Sequence, residues 1–78
     1  MKANRAYELV VRRGGRGPAI LAGPERLDTI EVVELDTAEV ALFWELAPND
    51  ARRVVRALRA DLAQLSADEF MARWRRFG

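Results

Sequence analysis

Thr29-Ile30-Glu31-Val32-Val33-Glu34-Leu35, then Asp36-Thr37-Ala38-Glu39, then Val40-Ala41-Leu42-Phe43-Trp44-Glu45-Leu46 carries the clearest β-strand signal in the chain. Both seven-residue runs are rich in β-branched and aromatic side chains, which suit a pleated, half-buried surface. Asp36 fits the first position of a type I turn, so the spacing predicts a hairpin with a four-residue loop. Pairing Leu35 with Val40 would place Val33, Leu35, Val40, Leu42 and Trp44 on one face. Ile30, Val32, Ala41 and Phe43 would share the other, beside Glu34 and Glu45. A slip of one residue would exchange the partners.

Upstream, Tyr7 to Arg12 alternates Tyr7, Leu9 and Val11 against Glu8, Val10 and Arg12, the two-residue period of a strand. Gly14-Gly15-Arg16-Gly17-Pro18 is turn chemistry, Ala19-Ile20-Leu21 reads as a short strand, and Gly23-Pro24-Glu25 breaks the chain again. Downstream the period changes. Ala47-Pro48-Asn49-Asp50 opens a helix, and Ala51, Val54, Val55, Leu58, Leu62 and Leu65 form an apolar stripe along it. Ser66-Ala67-Asp68-Glu69 is a capping box that starts a second helix, with Leu65 and Phe70 at the staple positions. Phe70, Met71, Trp74 and Phe77 make its apolar side.

The fold class that follows is α+β in a single domain, residues 1–78. A small antiparallel sheet of three or four strands lies within about 6–46. Two C-terminal helices, about 48–65 and 67–77, pack on one sheet face.

Composition closes several functions. The chain has 78 residues, no cysteine and no histidine. Disulfides, thiolate metal sites, imidazole ligands and the Ser–His and Cys–His pairs are therefore out of reach. Ser66 is accounted for as a helix cap. Lys2, the one lysine, sits in an N-terminal segment expected to fray. Carboxylates could still support metal-assisted hydrolysis, but Glu31 and Glu34 point to opposite sheet faces, and a substrate pocket would consume much of so small a core. No enzyme, catalytic residue, metal or cofactor is expected. No apolar run reaches membrane-spanning length, and Met1-Lys2-Ala3-Asn4-Arg5-Ala6 leads into the first strand without a signal region, so a cytoplasmic protein is expected.

A net charge of +1 hides a strong asymmetry. Residues 24–48 hold Glu25, Asp28, Glu31, Glu34, Asp36, Glu39 and Glu45 against Arg26, whereas both flanking segments are basic. Twelve of the thirteen basic residues are arginine, a bias that a GC-rich bacterial genome would produce without selection on chemistry.

Two binding surfaces remain. Helices can cover only one side of the sheet, which leaves Val10, Ile30, Val32, Ala41 and Phe43 as an apolar patch with a glutamate rim, the pattern of a protein interface. The leading expectation is a non-catalytic regulatory, adaptor or accessory protein that docks through this face, as a homodimer or on another chain. The alternative is nucleic-acid binding by Arg52, Arg53, Arg56 and Arg59 of the first long helix, with Arg16 of the glycine-rich loop. That loop is read first as a plain hairpin turn, since glycine and proline are default turn residues, and no helix-turn-helix, RNP or zinc-finger spacing accompanies it.

Overall fold

The apolar stripe through Ala51, Val54, Val55, Leu58 and Leu62 requires a surface to cover it, and a three-stranded sheet supplies one. A computed structural model describes residues 1–13 and 27–76. Its elements are α1 (Ala3–Ala6), β1 (Tyr7–Arg12), β2 (Asp28–Glu34), β3 (Val40–Leu46), α2 (Pro48–Gln64) and α3 (Ala67–Trp74). The strands are antiparallel in the order β1-β2-β3, so β2 is central. This is the α+β architecture expected, a sheet followed by helices that pack on it. Arg16, the strand expected at residues 19–21, and Phe77 lie outside the described residues.

Helix α2 starts with Pro48 in its first turn, where a missing N–H costs nothing, and Asp50 faces the positive end of the helix dipole. It stops where Leu65 turns extended. The capping box then forms as expected. Ser66 Oγ accepts from the Glu69 N–H at 3.2 Å, and Glu69 Oε1 accepts from the Ser66 N–H at 3.1 Å. The Ser66 N–H, and after it the Ser66 hydroxyl, hydrogen-bond the Glu69 carboxyl and hold it below the ordinary glutamate range.

The core sits between the sheet and the helices. Ile30, Val32, Leu58 and Phe70 are its largest fully buried side chains. Phe70 stacks on Tyr7 at 5.7 Å between ring centroids, and Trp74 meets Trp44 edge-on at 5.8 Å, which ties α3 to both outer strands. The indole N–H of Trp74 donates to Asp61 Oδ2 at 2.8 Å, and Arg73 lies 3.5 Å from the same oxygen.

The N-terminal segment does not fray. The Ala3 N–H donates to the Leu65 carbonyl at 2.9 Å, and the Met1 carbonyl accepts from Ala67 N–H at 2.9 Å. Lys2 forms a bridge with Ser66 and donates through Nζ to the Ala63 carbonyl at 3.2 Å. The extended junction between α2 and α3 leaves backbone groups unpaired, and the first residues satisfy them. Ala3 is fully buried, so α1 is a wedge against both helices rather than a loose end.

The hairpin register also differs from expectation. Ile30 pairs with Trp44 and Val32 with Leu42, one residue away from the register that joins Leu35 to Val40. A bulge follows, so Val33 pairs with Val40 and both Val40 and Ala41 oppose it. The loop is correspondingly longer. The Ala38 N–H donates to the Glu34 carbonyl at 2.8 Å, and Ala38 itself adopts a positive φ of 61°. The Leu35 N–H turns the other way, to the Ala6 carbonyl at 3.0 Å.

Burial explains why this register wins. It brings Ile30, Val32, Leu42, Trp44 and Leu46 to the helix side together, and Tyr7 and Leu9 join them from β1. The expected register would have left Ile30 and Val32 in water. Burying a valine or isoleucine side chain stabilises by roughly 1.5–3 kcal/mol, more than turn chemistry can offset.

Candidate functional site

The slip of register redraws the sheet face that the helices leave open. Strand alternation places Glu8, Val10 and Arg12 of β1 on it, with Thr29, Glu31 and Val33 of β2 and Ala41, Phe43 and Glu45 of β3. Three cross-strand rows result. Val10, Glu31 and Phe43 form the middle row, Arg12, Thr29 and Glu45 the row toward the helix start, and Glu8, Val33 and Val40/Ala41 the row toward the hairpin.

The expected patch is therefore corrected in two positions. Ile30 and Val32 are 0% exposed and belong to the core, not to an interface. Val10, Ala41 and Phe43 do lie on the open face. The middle of that face is not apolar either, because Glu31 occupies it, 3.6 Å from the Arg12 guanidinium. The exposed apolar surface is displaced toward the hairpin. Phe43 is 50% exposed, Val40 and Leu35 are each 49% exposed, and Val33 lies between them half-buried. Val33, Leu35 and Val40 were expected under the helices. No local signal in the sequence moves them; the register follows from the bulge and from how many apolar side chains reach the helices at once.

Carboxylates frame this cluster. Glu8 and Glu31 flank it on the strands, Asp36 and Glu39 sit in the hairpin loop, and Glu45 lies farther along β3. Like charges on one face repel a partner of the same sign and select one of the opposite sign.

Arginines occupy the other layer. Arg52, Arg56 and Arg59 of α2 converge with Arg13, just past β1, on a cleft of about 510 Å³ whose floor is Val11, Ala51 and Val55 and whose edge carries Asp28. Arg53 is not part of it. It lies on the opposite flank of α2, in a shallow groove with Trp44, Val54, Ala57 and Arg73. Arg13 was not singled out from sequence, although the alternation of β1 puts it on the side of Val11. Among the described residues no group of three or more carboxylates could hold a metal ion, and no helix is long and apolar enough to cross a membrane.

Comparison with protein-family models, with curated proteins and with solved structures returns no match. The two surfaces must speak for themselves. One is apolar with an acidic frame. The other is a cationic cleft.

Proposed function

We propose that this chain is a non-catalytic, cytoplasmic docking module that binds a protein partner through the open face of its sheet. The observation that carries the reading is the exposure of Phe43, Val40 and Leu35, each about half exposed, near the hairpin end of the sheet, where Val40 pairs with Val33. Exposed large apolar residues scattered singly need no explanation, but adjacent ones framed by charge mark an interaction surface.

The frame names the partner's chemistry. Face-to-face pairing with a second copy would bring two acidic frames, Glu8, Glu31, Glu39 and Glu45 from each, into one interface with Arg12 the one basic residue placed on that face, which costs association energy. The face therefore suits a different protein, with apolar side chains flanked by lysine or arginine. Nucleic acid is unsuited to it for the same reason, since phosphate would meet the carboxylates first.

Parallel purification of the tagged wild-type chain and its Phe43→Arg variant from native cells tests this. The expected result is one protein recovered in near-stoichiometric amount with the wild type, lost from Phe43→Arg and retained by Arg56→Gln. Recovery of the same proteins with both wild type and Phe43→Arg would overturn the reading.

A further inference from the structure

We infer that the cleft between α2 and the end of β1 is a second, separate binding site, whose ligand is the phosphate backbone of a nucleic acid taken without regard to base sequence. It lies on the helix layer, away from the docking face, and stands or falls independently of that face.

The case begins with the four guanidinium groups. Arg13, Arg52, Arg56 and Arg59 line one concavity, and among the described residues none of them has a carboxylate within ion-pair reach. Arg52 makes a hydrogen bond, but to the neutral Asn49 side chain. By contrast, two arginines elsewhere on the molecule, Arg12 and Arg73, are paired with Glu31 and Asp61. Composition bias explains why the chain is rich in arginine. It does not explain why four of them gather around one cleft, where each raises the cost of the next.

Spacing comes next. Arg52, Arg56 and Arg59 fall one turn apart along the same side of α2, so they span about 10 Å of a straight rod. Nucleic acid offers charge in a regular line at a still higher density, roughly one phosphate per 3.4 Å of axis on each strand against one arginine per about 5 Å. An arginine fork donates two parallel hydrogen bonds to phosphate oxygens. A flexible acidic peptide would meet the same cations only by ordering itself at an entropic cost.

The floor determines what is read. Val11, Ala51 and Val55 are small or branched aliphatics, and among the described residues no aromatic ring lines the cleft. Base stacking requires a flat π surface, so such a site grips the backbone and leaves the bases unread.

The acidic hairpin does not oppose this. Glu34, Asp36 and Glu39 lie at the far end of β2 from Asp28 and Arg13. A seven-residue strand puts about 20 Å between them, more than two Debye lengths of ~8 Å at physiological salt. Only Asp28 is a carboxylate of the cleft itself among the described residues.

Fluorescence anisotropy with labelled 20-nucleotide single strands and duplexes of unrelated sequence tests the site, with poly-glutamate as the competitor. Three to four phosphate contacts predict a log–log salt slope between about −2.7 and −3.6 on duplex. Affinity then falls roughly 40- to 150-fold between 50 and 200 mM salt. Arg56→Gln should flatten the slope by about one and weaken all sequences alike. Arg53→Gln, on the other flank, should leave both unchanged while circular dichroism shows both variants folded. Three results would overturn the inference: no binding at 50 mM salt, equal loss from Arg53→Gln and Arg56→Gln, or poly-glutamate that competes as well as unlabelled duplex. Phe43→Arg, by contrast, should bind the oligonucleotide at least as well as wild type, which keeps failure of this site distinct from failure of the docking face.

Discussion

Val32 and Phe43 should answer oppositely to a charge, and the difference follows from one residue of register. Val32 is 0% exposed in the middle of β2, paired with Leu9 on one side and Leu42 on the other. Val32→Asp forfeits roughly 1.5–3 kcal/mol of apolar burial. It also strands a polar group in the core, for about 1–3 kcal/mol more even after the carboxyl protonates. A domain of 78 residues holds about 4–12 kcal/mol in total, at 0.05–0.15 kcal/mol per residue. The variant is thus expected to be unfolded at 25 °C or to melt at least ~10 °C lower, at about 4–8 °C per kcal/mol. Phe43→Arg is another matter. Phe43 is half exposed and sits directly opposite Glu31, so an arginine keeps its stem on the sheet and gains a cross-strand partner. Its melting temperature should stay within about 8 °C of wild type, a change of ~1 kcal/mol or less. Thermal melts followed by circular dichroism read both values. Had Leu35 paired with Val40, the two residues would share a face and the two variants would behave alike. Similar melting temperatures for Val32→Asp and Phe43→Arg would therefore refute the register and the docking face built on it.

Asp61→Ala removes the acceptor of the Trp74 indole and the partner of Arg73, and should lower stability by about 1.5–3 kcal/mol, as read in urea titrations. Ser66→Ala abolishes the capping box and should cost about 1 kcal/mol at neutral pH. Because the folded Glu69 carboxyl is held below its ordinary range, its share is present at neutral pH and lost as pH falls through that lowered value. The gap in melting temperature between wild type and Glu69→Gln, which lacks the charge, should accordingly shrink under acid. Ala38→Gly relieves a positive φ that costs an alanine roughly 1–2 kcal/mol and should hold or raise the melting temperature, whereas Ala38→Val should lower it by several degrees. The Ala3 and Ala67 amides, bonded to Leu65 and Met1, should exchange with deuterium far more slowly than free-chain amides, which a frayed N-terminus would not allow.

Periodicity carried most of the fold. The helical stripe from Ala51 to Leu62 and the Ser66–Glu69 box lie where sequence spacing puts them, because each is a local pattern of one element. What escaped depended on long-range choices. The hairpin register is set by how many apolar side chains can reach the helices at once, and a bulge at Val40 and Ala41 is invisible until both strands are seen together. The N-terminal wedge was missed because Lys2 and Ser66 stand more than sixty positions apart, and their backbones rather than their side chains pair. The open sheet face was half legible for the same reason: Val10, Ala41 and Phe43 lie on it as expected, whereas Ile30 and Val32 are buried in the core and Leu35 and Val40 are exposed instead. Arginines 52, 56 and 59 followed from helical spacing, while Arg13 joined them only through the sheet.

The most direct measurement of the docking claim is site-specific photo-crosslinking in native cells, with a benzophenone side chain at position 43 on the open face and, separately, at position 63 on the exposed helix layer. The account predicts one discrete adduct from position 43, to a different protein with basic residues at the contact, and none from position 63. A dimer of the chain itself at position 43, or the same adducts from both positions, would contradict it.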